Sequence, residues 1–316
     1  MKKIAVTFTP ISAEILEKIR WVAPGYQVIE MPMDDARLAE CEIVFGQAHP
    51  KILAESKKLE WYHTQSAGVD YVLKSEYRFP EEAILTNSSG SYGVTISEYL
   101  LTITLMLLRK MNEYVLVQRE CKWQRLGAEK SVYGSTITIV GLGDIGENYA
   151  RRCKALGATV NGVVRRARAN KPDCVDALYT VDALEKAIAA ADVVALCLPG
   201  TEDTYHLFDK ARLKQMKKGA ILLNIGRGTA IDTKALIGVL QSGHLGGVGL
   251  DVTDPEPLPE DSPLWKMPNV MITPHVSGNN TLPLTNEMGV DKFVKYLEDY
   301  VAGRAFERIV DQKAGY

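Results

Sequence analysis

Thr136-Ile137-Thr138-Ile139-Val140 runs directly into Gly141-Leu142-Gly143-Asp144-Ile145-Gly146, and a helical stretch follows at 147–156. The reading of this stretch decides the fold. The first five residues are all β-branched, with apolar Ile137, Ile139 and Val140, as suits a buried strand. Gly-x-Gly-x-x-Gly is a weak signal alone; between a strand and a helix it becomes a way to hold a pyrophosphate. Gly141 permits the tight turn, Gly143 lets the backbone approach the phosphates, and Gly146 permits close packing of helix on strand. The free N–H groups and partial positive charge of the helix start complete an anion site.

Working outward, strand signals recur at Thr159–Val164, 193–198, 220–225, 247–252 and 270–273. Helical stretches at 181–190, 210–216 and 233–242 separate most of them, a doubly wound pattern. The first hundred residues alternate too. Strands are expected at 4–9, 26–31, Ile43–Gly46, 61–65 and 83–86, and a helix at Ala13–Val22. Ser88-Ser89-Gly90-Ser91-Tyr92-Gly93 breaks the alternation as a flexible small-residue turn. One long helix is expected at 95–120, capped by Thr95 with Glu98 three residues on, and apolar enough to be buried between domains. A last helix at 282–302 returns to the first domain. The expected architecture is α/β with two doubly wound domains and an active site in the cleft between them. Residues 1–94 and 285–316 form a flavodoxin-like substrate-binding domain, and 95–284 a Rossmann-type dinucleotide-binding domain.

At 316 residues the chain is long enough for two cores. A net charge of −2 offers no electrostatic case for nucleic acid or an anionic membrane. The longest apolar run, near 94–108, is too short to span a bilayer. The start lacks a small-residue cleavage site after an apolar core, which argues against a signal peptide. The five cysteines (Cys41, Cys121, Cys153, Cys174, Cys197) are scattered and form no C-x-x-C pair. Reduced thiols in a cytoplasmic protein are expected, and no metal site.

The strand Thr159–Val164 ends at Arg165-Arg166-Ala167-Arg168. An NAD site usually carries an acidic residue there, about 20 residues past the glycines, for the ribose 2′-hydroxyl. Arginines pair instead with a 2′-phosphate. Arg165 and Arg166 therefore favour NADP(H) over NAD(H), with NAD(H) possible and a solvated basic loop as the plain alternative.

Arg227 stands in a Gly-Arg-Gly turn after the strand at 220–225, where ligands of such sheets bind. Its planar fork suits a carboxylate; a surface arginine is the ordinary alternative. His275 follows the last strand in Thr273-Pro274-His275-Val276-Ser277-Gly278, the best placed histidine for a general acid. Glu256, between Pro255 and Pro257, is its candidate partner, since a carboxylate bonded to imidazole favours the protonated ring. Asp251, closing Gly247-Val248-Gly249-Leu250, is expected to accept from the nicotinamide amide or to help position the ring.

In this order, Gly-Leu-Gly-Asp-Ile-Gly, Asn-Ile-Gly-Arg-Gly, Gly-Leu-Asp-Val-x-x-Pro-Glu-Pro and Thr-Pro-His-Val-Ser-Gly resemble the D-isomer-specific 2-hydroxyacid dehydrogenases. The resemblance spans nearly the whole chain. It implies that Arg227 grips the substrate carboxylate and carbonyl, His275 exchanges the proton and Glu256 supports it. Ser66-Ala67-Gly68-Val69-Asp70 is similar to the family's substrate loop, which gives Ala67 and Gly68 the carboxylate through their N–H groups. Asp144, Ile145, Leu198, Pro199, Ile225 and Asp251 would line the cofactor. The basic segment after 164 and the Pro-Leu-Pro ending at 257–259 resemble the glyoxylate and hydroxypyruvate reductase branch. The implied activity is NAD(P)H-dependent reduction of a small 2-oxo acid to its D-2-hydroxy acid by a homodimer. A 3-phosphoglycerate dehydrogenase activity and a non-catalytic cofactor-sensing binder are the alternatives.

Overall fold

A computed structural model describes residues 1–7, 11–279, 282–313 and 315. The chain divides into two compact units, Met1–Tyr92 with Asn279–Tyr316, and Gly93–Gly278. The first contains β1 (Lys2–Val6), α1 (Ala13–Val22), β2 (Tyr26–Glu30), β3 (Ile43–Gly46), α2 (Pro50–Glu55), β4 (Trp61–Thr64), α3 (Asp70–Leu73) and β5 (Ile84–Asn87). The second contains α4 (Gly93–Leu108), α5 (Met111–Arg119), β6 (Thr136–Val140), α6 (Asp144–Ala155), β7 (Thr159–Val164), β8 (Ala177–Thr180) and α7 (Leu184–Ala189). It continues through β9 (Val193–Leu196), α8 (Lys210–Gln215), β10 (Ile221–Asn224), α9 (Thr233–Gln241), β11 (Gly247–Leu250) and β12 (Val270–Ile272). Helix α10 (Pro283–Val301) belongs to the first unit.

The first sheet is parallel, in the order β2-β1-β3-β4-β5. That is the flavodoxin-like winding. Every residue of β3 and β4 is buried, as expected for central strands covered on both faces. One face packs Ile19 of α1 and Phe293 and Leu297 of α10 against Ile4, Phe45 and Trp61. The other packs Leu38, Leu53 and Val72 against Val44, Tyr62 and Leu85.

The second sheet is parallel too, in the order β12-β11-β10-β9-β6-β7-β8. The order reverses between β6 and β9, and ligands of such sheets bind beyond the strand ends at that point. Two glycines of β11 admit α4: a side chain on Gly249 would press on Ile103, and one on Gly247 on Leu107.

Four expectations need correction. The long helix is two: α4 ends at Leu108, and Lys110, in the left-handed region at φ 51°, starts α5. Thr95 does not cap it, because α4 begins at Gly93, where a Cβ would overlap Asp144 and Asn148 of α6. The buried side of α4 lies against α6, β10 and β11, within its own unit. The Ser88–Gly93 turn is tied down: Lys292 donates to the Ser89 carbonyl and Ser91 Oγ to the Met288 carbonyl. Phe8 and Thr9, at the end of the first expected strand, lie outside the described residues. Among the described residues no helix is long and apolar enough to cross a membrane.

Candidate active site

Strand register sets out the site in the second unit. Val140 pairs with Leu196, Leu196 with Asn224, Asn224 with Leu250, and Leu250 with Ile272. Five strand ends thus stand abreast, each about 4.8 Å from the next. The residues that follow are Gly141, the turn Cys197-Leu198-Pro199, Ile225-Gly226-Arg227, Asp251, and Thr273-Pro274-His275. Sequence reasoning selected a residue from every one of these loops.

The glycine loop has the form of a phosphate cradle. A side chain on Gly141 would overlap the Cys197 carbonyl, and one on Gly146 the Gly141 carbonyl, so protein packing requires both glycines. Gly143 differs: a Cβ there meets nothing within 4 Å, and its φ of −90° suits any residue. Its open space fits a group the protein does not itself supply. Gly143 is also the N-cap of α6 and offers no side-chain cap, which leaves first-turn N–H groups for an anion. Asp144 is exposed and Ile145 half-buried at this start.

After β7, which pairs with β6, Arg165, Arg166 and Arg168 are all exposed. Arg168 turns back to Glu147 at 2.9 Å and to the Leu142 carbonyl, so it braces the glycine loop. Arg166 projects from the segment where an acidic residue would meet a ribose.

Arg227 sits in a turn closed on both sides by backbone. A side chain on Gly226 would overlap the Leu198 carbonyl, and one on Gly228 the Thr253 carbonyl. Buried Asn224 locks the turn, donating Nδ2 to the Arg227 carbonyl at 2.8 Å and accepting from Gly226 N at 3.1 Å. The Arg227 guanidinium is half-buried and donates to the Gly226 carbonyl at 2.7 Å.

His275 holds a φ of 54°, a left-handed conformation that a non-glycine residue keeps only when its surroundings impose it. Asp251 imposes it. Its backbone carbonyl accepts from His275 N at 2.8 Å. Its Oδ1 accepts from Thr273 Oγ1 at 2.6 Å and Val276 N at 2.8 Å, and its Oδ2 from Ser277 N at 3.0 Å. Tyr99 of α4 donates to Thr273 at 2.5 Å and extends the chain; burial pushes its hydroxyl up to about 12. The carboxylate of Asp251, only 1% exposed, is therefore engaged with the histidine loop.

The imidazole itself is exposed. Its Nδ1 lies 3.1 Å from Glu256 Oε2, and Glu256 Oε1 accepts from Thr253 N at 3.1 Å. Both prolyl bonds around Glu256, Asp254–Pro255 and Glu256–Pro257, are cis. With Nδ1 held by the carboxylate, Nε2 faces outward.

In the first unit, residues 65–68 leave β4. Three successive carbonyls point back into the protein: Gln65 accepts from Tyr92 Oη, Ser66 from Ser88 N at 3.1 Å, and Ala67 from Asn87 Nδ2 at 2.7 Å. Among the described residues no acceptor meets the N–H groups of Ala67 and Gly68. Adjacent donors of this kind suit a carboxylate. Sequence reasoning missed Asn87, Tyr92, Asn224 and Thr273, whose roles arise from contacts between distant segments. Three of the four remaining histidines have these settings: His49 caps α2, His244 bonds the Met216 carbonyl, and His206 stacks on Tyr205. All five cysteines are free, and among the described residues no cluster could hold a metal.

Residues 101–277 match the family model described as the NAD binding domain of D-isomer specific 2-hydroxyacid dehydrogenases. A glyoxylate/hydroxypyruvate reductase B from Enterobacter is 37% identical over 230 residues, 71% of this chain and 70% of that protein. The solved D-isomer specific 2-hydroxyacid dehydrogenase family protein from Aeromonas salmonicida is 32% identical, with a TM-score of 0.83 over 98% of this chain and 99% of that one. An NADPH-dependent glyoxylate/hydroxypyruvate reductase from Sinorhizobium meliloti, solved with NADP and sulfate, is 25% identical. Its TM-score is 0.84 over the full length of both chains.

Proposed function

The chain belongs to the D-isomer specific 2-hydroxyacid dehydrogenases, and we propose that it reduces a small 2-oxo acid such as glyoxylate or hydroxypyruvate with NADPH. The product is the D-2-hydroxy acid. When bound, the reduced nicotinamide supplies a hydride from C4 to the keto carbon. The carbonyl π pair moves to oxygen, which takes a proton from Nε2 of His275. Glu256, on Nδ1, orients the ring. Because the ring is exposed, solvent reprotonates it between turnovers. Arg227 meets the charge that develops on the carbonyl oxygen and fixes the carboxylate, and its locked turn means little reorganisation at that moment. Ala67 and Gly68 receive the carboxylate through their N–H groups.

Residues 141–146 hold the pyrophosphate, with Leu198, Pro199 and Ile225 along the cofactor. Arg165 and Arg166 pair with the 2′-phosphate. Asp251 acts through the histidine loop. Met111, Val115 and Leu116 of α5 and a fully exposed Trp123 are apolar groups at the surface, and a second copy of the chain is their proposed cover. The free thiols, exposed Cys121 among them, fit a reducing cytoplasm.

The observation that carries the reading is the left-handed His275, pinned by Asp251 and paired with Glu256. Steady-state rates with glyoxylate, hydroxypyruvate, pyruvate and bulkier 2-oxo acids, each with NADPH and NADH, test it. Turnover of the small acids with NADPH preferred is expected, and His275→Ala is expected to lose about 10²–10⁴-fold in kcat. No turnover with any acid, or an unimpaired His275→Ala, would refute it.

A further inference from the structure

Residues 65–68 are flanked by two chains of hydrogen bonds, one buried and one partly buried, whose directions can be deduced. Trp61 Nε1 can only donate, and it donates to Thr86 Oγ1 at 2.8 Å. Ser88 Oγ gives its single proton to the Thr64 carbonyl and so accepts from His63 Nε2; Nδ1 of the neutral ring, 2.7 Å from Thr86 Oγ1, then accepts the Thr86 hydroxyl proton. His63 is thereby the Nε2–H tautomer, which donates to Ser88 Oγ at 3.2 Å. Ser88 Oγ donates in turn to the Thr64 carbonyl at 3.1 Å. Burial, with the nearby Lys292 charge, lowers the His63 imidazole to about 3, consistent with a ring that stays neutral in this chain.

The second chain begins in the loop. Ser66 N donates to Thr64 Oγ1 at 3.2 Å, and Tyr62 Oη donates to the Gly46 carbonyl at 3.0 Å. Tyr71 Oη lies between them, 2.8 Å from Thr64 Oγ1 and in contact with Tyr62 Oη. With the Tyr62 proton on Gly46, Tyr71 donates to Tyr62 and Thr64 donates to Tyr71. Both chains run one way and leave no hydroxyl proton unmatched. They meet at Thr64 and Ser66, the entry to the loop whose Ala67 and Gly68 N–H groups lack acceptors.

We propose that these two relays set the position of the Ala67 and Gly68 amides, which makes Thr86, His63, Ser88, Tyr62, Tyr71 and Thr64 positioning residues for the substrate carboxylate. This rests on the reading of that loop as the carboxylate site. None of the six touches substrate in this account; the relays remove alternative loop conformations, so binding does not have to order the loop.

Thr86→Val tests it, since it keeps the shape and removes the link between Trp61 and His63. Ser88→Ala cuts the last bond of the same relay and serves if Thr86→Val does not fold. Two readouts are needed, on the full chain. Hydrogen exchange of the peptide covering 65–70 is expected to speed up about five- to tenfold, the loss of one hydrogen bond. The KM for glyoxylate is expected to rise by a similar factor, about five- to tenfold, with kcat and the NADPH KM within about twofold. Thr86→Ser is expected to restore both. Wild-type exchange in a folded variant would overturn the proposal. So would a fall in kcat or a rise in the NADPH KM matching the change for glyoxylate, because that marks general loosening. If the wild-type protein reduces no 2-oxo acid, the carboxylate reading fails, while the exchange readout still decides whether the relays hold the loop.

Discussion

Replacing Asp251 by asparagine is expected to loosen the histidine loop far more than its isosteric shape suggests. The carboxylate accepts three hydrogen bonds, two on Oδ1 and one on Oδ2, while almost fully buried. An asparagine that keeps its oxygen toward Thr273 and Val276 turns its NH₂ toward the Ser277 N–H, donor against donor. Flipped, it opposes two donors and fares worse. A bond to a charged acceptor contributes about 1.5–3 kcal/mol, and a buried donor without a partner costs about 1–3 kcal/mol. The better orientation therefore destabilises by about 2.5–6 kcal/mol, a large share of a typical domain's stability of about 5–15 kcal/mol. The assay is urea unfolding, with hydrogen exchange at 273–278 to localise the change. Turnover is expected to fall about 100-fold, because His275 loses the contacts that impose its left-handed backbone and a shift near 1 Å suffices for that loss. A destabilisation below about 1 kcal/mol, or a large one with turnover intact, would refute the assignment of Asp251 to the loop.

Gly143→Ala is expected to leave stability within about 0.5 kcal/mol and to raise the NADPH KM, whereas Gly228→Ala, which forces a methyl onto the Thr253 carbonyl, is expected to destabilise by about 1–3 kcal/mol. Urea midpoints and cofactor titrations on both variants check this, and the reverse pattern would refute the cradle. His63 titrates at about 3 when folded and near 6.5 when unfolded. Between those values the unfolded chain holds the extra proton, so stability falls as pH drops below about 6.5, by at most about 1.4 kcal/mol per pH unit from this group, and is unaffected above it. Unfolding midpoints from pH 7 to 4 are expected to show a shallower slope for His63→Gln; equal slopes would sink the assignment. Trp123→Glu is expected to convert a dimer to a monomer by light scattering at micromolar concentration, and a monomeric wild type would remove the basis for that interface.

The strands were legible because parallel strands buried on both faces leave short unbroken apolar runs. β3, β6 and β7 begin and end where the sequence pattern does. β8 was not legible, since as an edge strand it is only half-buried throughout and carries no such run. Nor was the break at Lys110, because a lysine in the left-handed region has no local signature. The start of α4 was misplaced for a tertiary reason: the contact of Gly93 with α6 sets where the helix begins, and a capping pattern cannot report a contact with residues fifty positions away.

The candidate site shows the same limit in chemical form. Five glycines of the motifs look alike as letters, yet the structure separates them by cause. Gly141, Gly146, Gly226 and Gly228 are excluded from bearing a side chain by the protein's own carbonyls, whereas Gly143 faces open space. A carboxylate at a strand end is equally ambiguous. The letters alone do not show that Asp251 accepts from residues 22 to 26 positions later and so holds the histidine loop. The same bonds give His275 a backbone it would not adopt alone. The sequence therefore offers candidates for the chemistry, while the division between those placed to touch reacting groups and those placed to hold them is drawn from the fold. Gly143→Ala against Gly228→Ala, and Asp251→Asn against His275→Ala, separate those two kinds of residue by measurement.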